Sequence, residues 1–227
     1  MRRLCVFLLV GVAMAGCGPR QSMRDAIKNA SVEDVKKHIR AGFDLAAPVE
    51  HSPFEFTPLH YAASQYGTSD SLTAEQQAVL DAILGGMSDL NVRDKEERTP
   101  LHACAYAGGT AVVQALLERG IDVNVADRSG ETALHMAARK LNPDVCRMLL
   151  ENGADPNAQD TYGDTPMHEA LLTGAREHPV EAREIVDVLL AAGADINRRN
   201  SKGSGPLNCT MRGSMLQNYL IKRGAKN

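Results

Sequence analysis

Tryptophan is absent from the 227-residue sequence, and aromatic residues make up only 4% of it. A fold built from small, Ala- and Leu-rich helices needs few large rings, so this shortage does not exclude a folded chain. With 44% apolar residues, the sequence is long and hydrophobic enough to form one sizeable folded body. Its formal net charge of −3 shows no excess of basic residues, and we therefore expect no nucleic-acid surface.

The motifs that commonly mark enzymes are also missing. The sequence contains no G-x-S-x-G nucleophile elbow, no phosphate-binding P-loop, no H-E-x-x-H zinc motif and no C-x-x-C pair. Adjacent acidic residues such as Glu33-Asp34 and Glu96-Glu97 are typical of solvated charge. We therefore predict that the protein is not an enzyme. The alternative is a hydrolase with an unrecognised site, whose carboxylates would lie in the 46–75 region.

Cysteine is scarce and its number does not favour a disulfide framework. Apart from Cys5 and Cys17, the sequence has three cysteines, an odd number for disulfide pairing in an oxidising compartment. Cys104, Cys146 and Cys209 all fall on apolar helical positions. We interpret them as small buried hydrophobic residues, since a reactive thiol needs a basic and exposed environment.

One seven-residue pattern recurs three times at a spacing of 33 residues. Its copies begin at Thr99, Thr132 and Thr165 and read TPLHACA, TALHMAA and TPMHEAL. After each copy comes a second apolar stripe at helical spacing, and then a glycine where a helix needs a left-handed terminal residue. These glycines are Gly120, Gly153 and Gly193. The period and the T-P-L-H-x-A core resemble those of the ankyrin-repeat family.

The resemblance implies an all-α ankyrin-repeat solenoid of about six helix-turn-helix repeats with β-hairpin or turn tips. A further copy starts at Thr57, 42 residues before Thr99, and its extra residues 65–75 predict a projecting loop between two helices. Residues 174–184 lengthen the fifth repeat and predict a longer second helix that begins near Pro179. The first and last repeats lack the full core motif, as capping repeats do. Within a domain at 23–227, the approximate repeat boundaries are 23–52, 53–93, 94–126, 127–159, 160–199 and 200–227.

The N-terminal residues are typical of a targeting segment and not of the fold. Arg2 and Arg3 precede an apolar run too short to span a bilayer as a helix. The following Met-Ala-Gly-Cys resembles the lipobox of bacterial lipoproteins. It implies a signal peptide at 1–16, acylation of Cys17 by chains such as palmitate, and a tether at 17–22. Gly18 after the cysteine favours the outer membrane, with the domain in the periplasm. Ordinary secretory cleavage after Ala15 is the alternative.

The repeated histidines invite a metal hypothesis, which the repeat geometry disfavours. His60, His102, His135 and His168 occupy one slot in successive repeats. Neighbouring helices stack ~8–10 Å apart, so adjacent histidines cannot readily share a zinc ion with bonds of ~2.0–2.1 Å. The ankyrin resemblance implies instead that these imidazoles bond to neighbouring turn backbone. We predict no metal, no cofactor and no small-molecule substrate.

The residues that the architecture does not dictate are the candidates for binding a partner. In ankyrin proteins, partners usually contact the tips and the exposed edge of the first helices. Aromatic and arginine side chains are enriched in binding hot spots. An alternative is that the two phenylalanines pack under the 46–56 loop and that the tyrosines cover helix ends. The predicted partner-binding residues are Phe54, Phe56, Tyr66, Arg98, Tyr106, Arg128, Arg139, Lys140 and Tyr162.

These observations predict a membrane-anchored, non-catalytic protein-binding module in the bacterial periplasm. One specific version is an inhibitor or immunity protein that occludes an envelope-acting enzyme. A second version is an adaptor that tethers a periplasmic enzyme or an envelope component. The surface of a repeat fold does not by itself identify the partner.

Overall fold

A computed structural model describes residues 22–226 of the chain, apart from the side chains of residues 175 and 176. The predicted signal peptide and the predicted acylation site Cys17 lie outside these residues. Within residues 22–226, none of the helices has both the length and the apolar composition that a bilayer span requires.

The described chain consists of short antiparallel helices and turns, and none of its residues lies in a strand. This confirms the predicted all-α solenoid. The helices form five pairs, and a sixth pair joins a 3₁₀ helix to the last α-helix. In chain order they are α1 Met23–Lys28, α2 Val32–Arg40, α3 Pro58–Tyr66, α4 Ala74–Gly85, α5 Pro100–Ala107, α6 Thr110–Glu118, α7 Ala133–Arg139, α8 Pro143–Glu151, α9 Pro166–Glu177, α10 Pro179–Ala191, the 3₁₀ helix Pro206–Cys209 and α11 Met215–Lys222.

The first helices of the pairs stack in sequence and form the inner layer. Helix α3 packs between α1 and α5, α7 packs between α5 and α9, and the 3₁₀ helix packs on α9. The apolar residue of each core motif points into this stack and is almost fully buried. These residues are Leu59, Leu101, Leu134, Met167 and Leu207. A repeat cannot bury this residue alone, so each one depends on its neighbours for its core.

Between the helix pairs lie five-residue turns, here called the tips, at residues 52–56, 94–98, 127–131, 160–164 and 200–204. In the third repeat, Asp94 Oδ1 accepts hydrogen bonds from the backbone N–H groups of Glu96 (2.8 Å) and Arg98 (2.9 Å). Asp127, Asp160 and Asn200 make the same two bonds in the following tips. The predicted tips are therefore present as turns, and none of the described residues forms a hairpin strand.

Backbone hydrogen bonds also join each tip to the next. Lys95 N–H donates to Phe54 O at 3.0 Å, and Arg128 N–H donates to Glu96 O at 3.0 Å. Gly130 has φ of 79°, and a Cβ there would lie 2.9 Å from the backbone nitrogen of Thr161. Glycine is needed at this tip because it tolerates positive φ and lets the neighbouring backbone approach. The tips therefore form one continuous rim along the solenoid.

The two insertions behave differently. The first, predicted to project, is docked on the next repeat through residues 67–73. Gly109 N–H donates to Gly67 O, and Asp70 Oδ1 accepts from Thr110 N–H at 3.2 Å at the start of α6. Asp70 thereby supplies the cap that Gly109, which precedes α6, has no side chain to provide. In the fifth repeat, α10 begins at Pro179 as predicted, and α9 is also lengthened.

Candidate protein-binding groove

A concave groove with a volume of about 510 Å³ runs between the inner helices and the tips of the second to fourth repeats. It combines exposed aromatic rings, a few apolar side chains and paired charges. Its lining residues are Phe54, Phe56, Ser64, Asp94, Glu96, Arg98, His102, Ala103, Tyr106, Asp127, Ser129, Glu131, Met136 and Arg139. A cleft of this size with convergent polar groups is the form that a binding site usually takes.

One end of the groove is aromatic. The ring of Phe54 stacks on Phe56 with centroids 5.5 Å apart, and Phe56 stacks in turn on His60 at 5.7 Å. Phe54 remains 46% exposed, whereas Phe56 is half-buried. The alternative interpretation, packing under the 46–56 loop, therefore fits Phe56 better than Phe54. Phe54 is an exposed ring held on a fixed platform.

Arg98 links this aromatic end to the third tip. Its Nε donates to Asp94 Oδ2 at 3.0 Å, and its guanidinium carbon lies 5.2 Å from the centre of the Phe54 ring. Nη2 lies 2.9 Å from the same Oδ2 but has no hydrogen-bond partner, so we treat this second contact as an ion pair only. The contacts on both sides orient Arg98 and compensate its charge within the molecule.

Tyr106 and Lys140 meet on the inner surface of the next repeats. Tyr106 is 52% exposed, and the ammonium of Lys140 lies 4.6 Å from the centre of its ring. A cation over an aromatic face at this distance is attracted by the ring. The structure thus brings these two predicted binding residues together, and the phenol ring remains available to other molecules.

Arg139 lies between two buried glutamates at the other end of the groove. Its guanidinium bonds to Glu131, from the fourth tip, and its Nε donates to Glu169 of α9 at 2.7 Å. Carboxylate oxygens of Glu131, Glu169 and Asp160 lie within 4.8 Å of one another. Because the guanidinium already bonds two of these three carboxylates, we interpret the cluster as an ion-pair network and not as a metal site.

Arg128 and Tyr162 lie on the tips, outside the groove. Arg128 Nη2 donates to the carbonyl oxygen of Lys95 at 2.7 Å, and its Nη1 lies 3.7 Å from Glu96. The Tyr162 ring is 65% exposed. Both side chains can contact a partner that extends over the rim.

Tyr66 is the one predicted binding residue that the structure buries. Only 3% of it is exposed, and its hydroxyl donates to the carbonyl oxygen of Ile27 in the first repeat. Burial raises the pKa of this phenol to about 12. The prediction was wrong for Tyr66, because the ring turns into the interface between the first two repeats and not toward the inserted loop.

Sequence reasoning missed several groove residues. Asp94, Asp127, Ala103 and Met136 line the groove but were not selected, because an aspartate that forms a turn and a small apolar residue both have an architectural explanation. Glu169, buried beside Arg139 next to the groove, was also not selected. The recurrence of aspartate at the first position of three tips is the pattern that could have identified part of this set.

The motif histidines are structural, as the ankyrin resemblance implied. In the third repeat, His102 Nδ1 accepts from Thr99 N–H at 3.1 Å, and Nε2 donates to the carbonyl oxygen of Glu131 at 3.0 Å. In the second repeat, His60 Nδ1 accepts from the hydroxyl of Thr57 at 2.9 Å, and Nε2 donates to the carbonyl oxygen of Arg98 at 2.7 Å. Burial lowers the pKa of His60 and His102 to about 4, so both are neutral at neutral pH.

The surroundings of the three cysteines also make their thiols unreactive. Cys104 and Cys146 are fully buried, and burial raises the pKa of each thiol to about 12. Cys209 is half-buried in the 3₁₀ helix, and burial raises its pKa to about 11. Thiolate, the nucleophilic form, is therefore scarce at all three positions at neutral pH.

The protein is an all-α solenoid of repeats with a groove between its tips and its inner helices. This is the architecture of a binding scaffold built from repeats. Sequence comparison identifies the repeat. The family "Ankyrin repeats (3 copies)" matches residues 71–160, and "Ankyrin repeats (many copies)" matches residues 142–182. The chain therefore contains ankyrin repeats, which indicate a protein–protein interaction module and are generally non-catalytic. No curated protein matches the chain.

Proposed function

We propose that the protein is a membrane-anchored, non-catalytic module that holds a segment of another protein in its concave groove, in the bacterial periplasm. The observation that carries this proposal is the groove itself. It presents the exposed rings of Phe54 and Tyr106 on a rigid stack of helices, together with charged groups whose positions are fixed. Rigid aromatic anchors of this kind contribute most of the energy in many protein interfaces.

Two features support a binding role over catalysis. The side chains that could act as a nucleophile or a base are poorly suited to that role. The buried cysteines have strongly raised pKa values, and both ring nitrogens of His102 form hydrogen bonds with the backbone. The acidic groups Asp94 and Glu131 are bonded to arginines. Asp94, His102 and Glu131 line the groove, and we propose that a ligand contacts them without a chemical step.

Support for the anchor comes from the sequence alone. Residues 14–17 read Met-Ala-Gly-Cys after a short apolar run, which resembles a lipobox. Several acyl chains on Cys17 would anchor the domain stably, as a single chain does not. Gly18 favours the outer membrane. An anchored module near an enzyme of the envelope could act as its inhibitor or immunity protein by covering the active site.

The proposal is tested by affinity purification from detergent-solubilised cells of the native host, followed by mass spectrometry. The full-length protein is compared with a Phe54→Ala, Tyr106→Ala double variant. Both side chains are about half exposed, so their removal should leave the fold intact. The matched control is Met215→Ala with Ile221→Ala, two exposed apolar residues on α11 that lie outside the groove.

We expect one near-stoichiometric protein with the wild type and the control, and its loss with the groove variant. The identity of that protein would separate an inhibitor from an adaptor. A partner that binds the groove variant and the wild type equally would contradict the proposed site.

A further inference from the structure

We propose that the partner segment is cationic and that it places a lysine or arginine side chain at the acidic end of the groove, next to Tyr106. This inference rests on the proposed function and specifies the chemistry of the partner. Asp127 and Glu131 line the groove, and carboxylate oxygens of Asp160 and Glu169 lie within 4.8 Å of that of Glu131.

Carboxylates outnumber cations at this end of the groove. Glu131, Asp160 and Glu169 have carboxylate oxygens within 4.8 Å of one another, Arg139 bonds both glutamates, and Asp127 lines the same groove. If these groups and Lys140, which lies over the Tyr106 ring, are all ionised, the local charge is −4 + 2 = −2. Arg139 is already bonded to both glutamates, and its charge therefore leaves the two aspartates uncompensated.

The two aspartates have no cation of their own. In the described part of the chain, Asp127 and Asp160 form no ion pair within 4.0 Å, whereas Asp94 in the equivalent position is paired with Arg98. Their backbone hydrogen bonds reach Oδ1. Asp127 is only 9% exposed, and a charge in such a site interacts more strongly with an incoming cation than a fully solvated charge would.

An acidic partner would meet a different situation. The guanidinium groups that line the groove, Arg98 and Arg139, are both bonded to carboxylates of this chain. A partner carboxylate would approach guanidinium groups whose charge a carboxylate of this chain already compensates, and displacing that carboxylate would leave it buried without a partner. A cation has no such competitor at Asp127 and Asp160, so charge complementarity favours a cationic segment.

The aromatic rings fit the same ligand. Lys140 and Arg98 already lie over the faces of Tyr106 and Phe54, at 4.6 and 5.2 Å from the ring centres. Both rings are about half exposed, and Met136 and Ala103 add apolar side chains to the lining of the same groove. A segment with a basic residue beside an apolar one would use cation–π attraction, apolar contact and the two carboxylates that lack an ion pair.

The chain itself provides the substitution for a test. Asn200 occupies the tip position of the two aspartates, and its Oδ1 accepts the same backbone hydrogen bonds from Lys202 and Ser204 at 3.0 Å. Asp127→Asn with Asp160→Asn should therefore remove two charges and keep both turns. The matched control is Asp81→Asn with Asp144→Asn, two exposed aspartates on the outer helices α4 and α8.

The experiment selects a phage-displayed library of random dodecapeptides on the full-length protein in detergent micelles. Synthetic versions of the enriched peptides are then measured by fluorescence anisotropy. We expect enrichment of Lys and Arg over the unselected library. We also expect binding about tenfold weaker to the groove double variant, unchanged binding to the control, and weaker binding at high salt.

Two other outcomes separate this inference from the proposed function. Enriched peptides that are neutral or acidic, and whose binding is lost with Tyr106→Ala, would refute the cationic partner and leave the groove as the site. Enriched peptides that bind the Tyr106→Ala variant and the aspartate double variant as well as the wild type would overturn both.

Discussion

Mild acid should destabilise the fold through the histidines of the repeat motif. His60 and His102 are buried as neutral imidazoles, each accepting at Nδ1 and donating from Nε2 to the next tip. A proton added to Nδ1 would point at the groups that now donate hydrogen bonds to this nitrogen. Protonation therefore opposes the hydrogen bond at the helix start and places a charge in a buried site, although the Nε2–H group can still donate to the next tip.

The magnitude follows from the difference in pKa between the two states. Burial lowers the folded pKa of His60 and His102 from 6.5 to about 4. Between these values the unfolded chain binds more protons, so the stability is fully present above about pH 6.5 and falls as the pH falls toward 4. Lowering the pH from about 7.5 to about 5 should reduce the free energy of unfolding by about 2 kcal/mol for each histidine, or by about 4 kcal/mol for the two together. The pKa of His135 is also lowered by burial, which adds to the effect.

The assay is urea unfolding followed by circular dichroism at both pH values. Carboxylates remain mostly ionised above about pH 5, so the histidines dominate this interval. The variant His102→Asn isolates one of them, since Asn208 occupies the same slot in the last repeat and its Oδ1 accepts from Gly205 N–H at 2.9 Å. This variant should be less stable than the wild type at both pH values, because the bond to Glu131 O is lost. The difference in its unfolding free energy between the two pH values should be about 2 kcal/mol smaller than that of the wild type. Equal wild-type stability at the two pH values would refute this reasoning.

Four further substitutions test the packing, the insertion, the ion-pair network and the anchor. Leu134→Ala, at a fully buried position, should cost roughly 2–5 kcal/mol of unfolding free energy, and an unchanged melting temperature would show that the repeat register is wrong. Gly109→Ala should cost about 1–3 kcal/mol, because its Cβ would lie 2.3 Å from the backbone of the docked loop, whereas Gly85→Ala, with no atom within 4 Å, should cost nothing measurable in the same melts. Arg139→Ala should cost about 1–3 kcal/mol in urea unfolding by leaving two buried glutamates without a cation, and wild-type stability would mean that the network is not a structural one. Cys17→Ala should move the protein from the membrane fraction to the soluble fraction, and a variant still found in the membrane pellet would rule out the lipid anchor.

The regular part of the fold could be predicted because it is specified locally. The motif copies at Thr99, Thr132 and Thr165 give α5, α7 and α9, since each combines a capping threonine, a residue suited to the first turn and an apolar stripe. The histidine bonds follow from the repeat itself. Once the period is known, the position of every stacked neighbour is known.

The parts that depend on contacts between repeats could not be predicted in the same way. The sequence shows that residues 65–75 are extra, but not that Asp70 reaches Thr110 or that Tyr66 turns toward Ile27. The acidic end of the groove has the same origin. Asp160 looks like an ordinary turn residue, and only the stacking of repeats brings its carboxylate within 4.8 Å of those of Glu131 and Glu169.

The central claim, that the groove holds another protein, is tested most directly by photo-crosslinking in cells of the native host. A photoreactive phenylalanine analogue is placed at Tyr106, an exposed position in the groove, and separately at Asp144, an exposed position on the outer helix α8. We expect a specific crosslinked protein from position 106 and none from position 144. A crosslink that forms only from position 144, or equally from both positions, would contradict the groove as the binding site.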